Sequence, residues 1–206
     1  MPLQALQHLA RKDKVMGCLI ERVGPCTLKP ANRRNPFEAL VHSVAHQQLH
    51  GNAAAAILRR VKALYTGKRF PNPADILATS DKHLRAAGLS RAKVAAIRDL
   101  AAKTIEGVVP NSRAIAKMTD DELLQRLTTV RGVGPWTVEM LLIFTLGRLD
   151  VLPATDYGVR RGFALTYGWR DLPKPKELLE YGEKWRPHRT TATWYLWRAV
   201  ELPPNP

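Results

Sequence analysis

Two short stretches hold residue types that can do chemistry. In LDVLPATDYGVRRGF, Asp156 follows a proline-containing loop, opens a helical pattern and precedes Arg160 and Arg161. A carboxylate so placed can serve as an N-cap, a task Thr155 could share. In a basic neighbourhood it is also an anion able to stabilise a developing positive charge or to orient or deprotonate a water. Upstream, TVRGVGPWTVEMLLIF enters a helix through Gly132-Val133-Gly134 and Pro135-Trp136. Two glycines around a small apolar residue turn the backbone tightly. They leave amide N–H groups at a helix N-terminus with no side chain in front, which suits a phosphate. Pro135 sits near the first turn, where its missing N–H costs little. A tight helical hairpin with nothing bound would use the same residues. The place of this turn between two patterned helices, in a strongly basic chain, favours the phosphate.

The charge balance supports that preference. The 206 residues include 32 Lys and Arg against 18 Asp and Glu, a net charge of +14, with a pI near 10.2. The excess is spread along the chain, which suits a polyanionic partner, nucleic acid before membrane. A composition of 45% apolar and 24% charged residues is that of an ordered globular chain. Cys18 and Cys26 are the only cysteines, too few for a disulfide framework or a four-cysteine iron–sulfur site. The start, MPLQALQHLARKDK, does not read as a signal peptide, and the apolar run Met140–Leu146 is too short to cross a bilayer. A soluble intracellular protein is expected.

A third cluster, His42, His46 and His50, is spaced to share one helix face. HxxxH without the glutamate of HExxH and without further ligands is not expected to hold a metal.

The elements that must position these residues are helical throughout. Asn35-Pro36 caps and opens a helix over Phe37–Leu49, and Gly51–Leu64 carries an apolar stripe. Ser90 caps Arg91–Ile105, and Thr119 with Glu122 forms a capping box for Asp120–Leu127. A helix opens at Thr155 or Asp156 and runs through Phe163, another opens at Pro175, and a last one runs from Pro187 to about Glu201. No segment alternates like a strand. The fold class is all-α. A weaker echo of the glycine turn, AAGLSRAKVAAI, carries one glycine and a capping Ser90, and reads as an ordinary helix–helix connection.

LTTVRGVGPWTVEMLLIF followed by DVLPATDYGVRRGF resembles the helix-hairpin-helix DNA glycosylases of the HhH-GPD superfamily, above all their alkylpurine (3-methyladenine) branch. PFEALVHSVAHQQLHGNAAAAI, AAGLSRAKVAAIRDLA and YGEKWRPHRTTATWYLWRAVE extend the similarity over Pro36 to Glu201. The resemblance implies one catalytic unit over residues 1–206, two-lobed, with the active cleft between the lobes. Lobe A would span about 36–117. Lobe B would combine 1–35 with 118–206 and contain the hairpin 128–136 and the catalytic loop 147–156.

By the same resemblance Asp156 is the catalytic carboxylate, and Trp136, Trp197, Met140 and Tyr157 line the pocket for a flipped base. Indoles suit a cationic base through cation–π contact, about 1–2 kcal/mol when desolvated. Arg131, Gly132, Val133, Gly134 and Thr137 would meet DNA, and Gln48 or Leu49 would plug the gap left by the nucleotide. Backbone carbonyls of Thr128, Val130 and Val133 would hold a monovalent cation, Na+ or K+. No cofactor is required, and no iron–sulfur cluster is expected. Strand-cutting relatives have a lysine at the position of Trp136, so monofunctional hydrolysis of alkylated purines (3-methyladenine, 7-methylguanine type) is implied. Met140 replaces a pocket tyrosine found in some relatives, which bears on the substrate range. The implied partner is double-stranded DNA with a damaged base, acted on by a monomer in the cytoplasm at the nucleoid, as part of base excision repair. Two rivals stay open: a glycosylase for an oxidised or deaminated base, and a non-catalytic helix-hairpin-helix DNA-binding module.

Overall fold

The computed structural model describes residues 3–30, 34–49 and 51–203. Among these there is no strand. In chain order the helices are α1 (Leu3–Lys12), α2 (Lys14–Val23), α3 (Pro36–His46), α4 (Gly51–Ala63), α5 (Pro73–Ala78), α6 (Asp81–Ala86) and α7 (Arg91–Ile105). They continue with α8 (Ser112–Ile115), α9 (Asp120–Leu127), α10 (Pro135–Leu141), α11 (Tyr157–Tyr167), α12 (Pro175–Gly182) and α13 (Arg189–Ala199). A π turn, Leu142–Leu146, extends α10, and a 3-10 turn, Glu183–Trp185, follows α12. No helix among the described residues is long and apolar enough to cross a membrane.

The expected caps are in place. Asn35 accepts from the Glu38 amide, Ser90 from Lys93, and Thr119 and Glu122 form a reciprocal capping box. Three boundaries differ from expectation. The helix α3 stops at His46 because Gln47 is extended (φ −54°, ψ 129°) and Gln48 turns left-handed (φ +56°). The helix α11 continues past Phe163 to Tyr167, closed by left-handed Gly168. The last helix begins at Arg189 rather than Pro187, with His188 as its first flank.

The chain divides into two compact units, Met1–Pro30 with Gly147–Pro206, and Ala31–Leu146. The hairpin 128–136 is therefore grouped with residues 31–127, whereas the expected division had put it with the C-terminal residues. The boundary falls at the end of the π turn, because α10 packs on α3 and α9.

In the first unit α11 and α13 are the most closely packed pair, with α1 and α2 covering them. A Cβ at Gly162 would collide with the Leu196 carbonyl, so these two backbones touch. Leu9, Met16, Phe163, Leu178, Trp185 and Tyr195 form the apolar centre. Within it Asp13 caps α2 through the Met16 amide (3.1 Å) and accepts from the Tyr167 hydroxyl (2.8 Å) and Trp185 Nε1 (3.0 Å). Burial pushes this carboxyl up, but these donors and the Lys184 ammonium at 3.5 Å outweigh it, and the pKa is lowered. In the second unit α3 packs on α7 and α10, and α7 on α5.

Candidate active site and nucleic-acid interface

The glycine turn in the second unit is clamped from inside. The Val130 amide donates to the Leu127 carbonyl (3.1 Å) and the Val133 amide to the Val130 carbonyl (3.0 Å). Residues of α7 hold the outer edge: Lys103 Nζ donates to the Thr129 carbonyl (3.0 Å), and Asp99 Oδ2 accepts the Arg131 amide (2.7 Å). Gly132 is left-handed (φ +74°), and a Cβ there would lie 2.9 Å from Ala96 Cβ, so the fold itself requires this glycine.

Gly134 differs. Its backbone is extended (φ −94°, ψ 175°), a conformation any residue adopts, and a Cβ would meet nothing within 4 Å. It is the N-cap of α10 but makes no side-chain cap, and Pro135 follows at the first helical position. Neither backbone geometry nor internal packing accounts for a glycine here. A ligand approaching the α10 N-terminus would.

The other residues expected at the DNA divide by burial. Arg131 and Gly132 are exposed, Val133 and Thr137 buried. The Thr137 amide donates to the Gly134 carbonyl (2.9 Å) and its hydroxyl accepts from Gln47 Nε2 (3.1 Å), so both groups are engaged within the protein. Gln48 and Leu49 are exposed in the α3–α4 connection. The adjoining Gln47, unremarked in the sequence, donates through Nε2 to the Gly132 carbonyl (2.9 Å) as well as to Thr137. Trp136 and Met140 lie one turn apart on α10, both half-buried.

In the first unit Asp156 is half-buried at the N-terminus of α11. Its Oδ1 accepts the Val159 amide at 2.8 Å and the Trp197 indole N–H at 2.9 Å. The N-cap role is thus real, and one oxygen serves both cap and indole. Trp197 comes from α13, and Gly158 makes room for it: a Cβ at 158 would lie 3.0 Å from Trp197 Cδ1 and 3.1 Å from Asp156 Oδ1. Tyr157 is 68% exposed on the first turn of α11. Trp194, one turn before Trp197, is buried against Tyr195.

The loop carrying Asp156 is tied to the start of α13 by bonds that sequence reading missed. Arg189 Nε and Nη2 donate to Asp150 Oδ1 (2.9 Å) and Oδ2 (3.1 Å), and Nη2 also donates to the Asp150 carbonyl (2.8 Å). Thr190 Oγ1 accepts the Val151 amide (2.9 Å) and donates to the Arg148 carbonyl (2.7 Å). Thr193 Oγ1 donates to the Val151 carbonyl (3.2 Å). Burial raises the Asp150 carboxyl, but Arg189 and Arg186 bring it below its ordinary value. Loop and indole are therefore referred to one helix.

His42 and His46 stack with centroids 6.3 Å apart, and His46 Nδ1 bonds the His42 carbonyl (2.8 Å). Burial, with Arg34 and His46 nearby, lowers the His42 pKa to about 4. His50 lies outside the described residues. Among the described residues no three His, Cys, Asp or Glu side chains are grouped to hold a metal. The carbonyls of Thr128, Val130 and Val133 offer neutral hard oxygens, the donor type a monovalent cation takes. That of Val130 already accepts the Val133 amide, which occupies one of its two lone pairs.

The profile of the HhH-GPD superfamily base excision DNA repair protein matches residues 41–188. The chain is 37% identical over 198 residues to DNA-3-methyladenine glycosylase 1 of Schizosaccharomyces pombe, covering 95% of this chain and 86% of that protein. It is 32% identical over 200 residues to the alkylbase DNA glycosidase-like protein mag2 of the same yeast, covering 97% and 94%. The solved structure of the S. pombe 3-methyladenine DNA glycosylase Mag1 in complex with abasic DNA matches with a TM-score of 0.92 at 36% identity, covering 98% of this chain and 99% of that one. The glycine turn, the Asp156 loop and the helices that hold them are thus parts of a shared fold, and the chain belongs to the HhH-GPD superfamily of base excision DNA repair proteins.

Proposed function

We propose that the protein is a monofunctional DNA glycosylase that hydrolyses the N-glycosidic bond of alkylated purines, of the 3-methyladenine and 7-methylguanine type, in double-stranded DNA. It acts as a monomer inside the cell, in base excision repair. The observation that carries this reading is the Asp156 carboxylate, oriented by the Val159 amide and the Trp197 indole. Breaking the C1′–N bond sends the bonding electrons to the purine and leaves positive charge on the sugar. A fixed carboxylate stabilises that charge without reorganising. Water then adds to C1′ and gives up a proton, with Asp156 as the orienting base. An N-alkylated purine already bears positive charge and departs neutral, so no strong general acid is needed.

Trp136 and Met140 are assigned the base, and the indole face suits a cationic ring. The amides at the α10 N-terminus take a DNA phosphate, and Gln48 or Leu49 fills the space of the extruded nucleotide. Thr128, Val130 and Val133 would hold a monovalent cation, which supplies positive charge beside that phosphate.

Asp156→Asn tests the centre. Asparagine caps a helix as well as aspartate does, so the fold and DNA affinity are kept. Base release from a duplex with one 7-methylguanine should fall by at least about a thousandfold, since one electrostatic partner in the transition state supplies several kcal/mol. Near-normal release would remove Asp156 from the mechanism. With the unsubstituted protein, product DNA should hold intact abasic sites that break only in alkali, and borohydride should trap no covalent adduct. Efficient trapping would mean that an amine attacks C1′, and the monofunctional reading would be lost.

A further inference from the structure

The α3–α4 connection is held in an arrangement that its own residues do not favour. Gln48 is left-handed (φ +56°), and it is the only non-glycine residue with positive φ among the described residues. Such a conformation persists where the surroundings impose it. Two anchors do so here. Lys93 Nζ, from the first turn of α7, donates to the Ala45 carbonyl (2.7 Å) and the Gln47 carbonyl (2.9 Å). From the other side, Gln47 Nε2 donates to the Gly132 carbonyl (2.9 Å) and to Thr137 Oγ1 (3.1 Å), which lie on either side of Gly134. The result is that exposed Gln48 and Leu49 stand beside a side chain that grips the glycine turn.

We propose that Gln47 is a positioning residue that fixes the Gln48–Leu49 loop at a set distance from the Gly134 turn, so that a duplex seated on the turn meets a loop already shaped to enter the base stack. The inference rests on the glycosylase reading above. In that reading, phosphate binding and nucleotide extrusion use different parts of the second unit, and Gln47 couples them. A loop ordered in advance adds no conformational cost at the moment of extrusion. The coupling matters only while the lesion is stacked and paired. Once the base is unpaired, the loop has little left to displace.

The test uses single-turnover base release from two duplexes, with 7-methylguanine opposite cytosine or opposite a tetrahydrofuran abasic analogue. 2-Aminopurine next to the lesion reports unstacking. Gln47→Glu keeps the shape of the side chain but replaces the donor with an acceptor, facing the Gly132 carbonyl. It should slow release about 10- to 100-fold opposite cytosine, the range expected for a small misplacement. Release opposite the abasic analogue should change less than about threefold, and the 2-aminopurine signal should be weakened only in the paired duplex. Lys93→Met, which releases the same loop from α7 and leaves the glycine turn untouched, should act in the same direction and serves if Gln47→Glu fails to fold. Equal slowing on both duplexes, or slowing on neither, would overturn the proposal. Absence of base release by the unsubstituted protein on both duplexes is a separate result, and it would overturn the glycosylase reading together with this one.

Discussion

The second unit contains two turns of the same outline, helix, glycine, cap, helix, and they are built for different ends. In the first, Gly88 is left-handed (φ +104°), and the space of its missing Cβ is taken by Arg60 Nη2 at 2.6 Å and Ile57 Cγ1 at 3.0 Å. Arg60 Nε also donates to the Ala87 carbonyl (2.8 Å), and the Ser90 side chain caps α7 through the Lys93 amide. Everything that turn requires is inside the protein. In the second, Gly132 is used in the same way, against Ala96, but Gly134 has no internal reason to be glycine. A residue type explained neither by conformation nor by packing points outward. On the proposed reading, the pair contrasts a closed helix connection with one that carries no cap side chain, at Gly134, and leaves the α10 N-terminus open to a phosphate.

Gly134→Asp should separate the two turns most sharply. Aspartate is a better N-cap than glycine, so stability should rise by a few tenths of a kcal/mol in thermal unfolding. The same carboxylate would occupy the phosphate position and repel the strand. Affinity should fall by about 10- to 100-fold for damaged and undamaged duplex alike, and the salt dependence should become shallower. Loss confined to damaged DNA would place the turn in base recognition and end the phosphate reading.

Gly88→Ala should show the converse. The left-handed backbone and the contact with Ile57 should cost about 1–2 kcal/mol of stability, with DNA affinity of the folded protein unchanged. A fall in affinity with no loss of stability would mean that the first turn also faces the partner. The smallest effect is expected from Ser90→Gly, which strips that turn to bare backbone. It should cost a few tenths of a kcal/mol and leave DNA affinity as it was. A gain in affinity would show that exposed amides alone make the site, and that the setting of the second turn adds nothing.

These contrasts also mark what could be read from the sequence. Ser90, Asn35 and the Thr119–Glu122 box act within one helical turn, and their spacing is visible in the chain. Asp156 was legible for the same reason, as a polar residue at a helix start, whereas the catalytic role proposed for it came from the family resemblance. The partners that give these residues their precision were not legible. Gln47 meets Gly132 and Thr137, Asp150 meets Arg189, and Trp197 meets Asp156 across long stretches of chain. Such pairings follow from how helices pack and leave no periodic mark. The distinction between Gly132 and Gly134 was hidden as well, because φ and the space around an absent Cβ are properties of the folded backbone. Nor did the apolar run Met140–Leu146 announce that its last five residues form a π turn, a feature that recurs at functional sites.

The contact between Gly162 and the Leu196 carbonyl has a consequence for how this chain can change over evolutionary time. The two helices that carry Asp156 and Trp197 meet at their backbones, so the spacing between carboxylate and indole has no slack to give. Any side chain at 162 would push α13 outward and be felt next along it, at Trp197. Inherited variation at this buried position would register as lost enzyme function although the residue touches no substrate. On the proposed reading, a changed choice of damaged base would come from side chains around this helix pair rather than from a change in its angle.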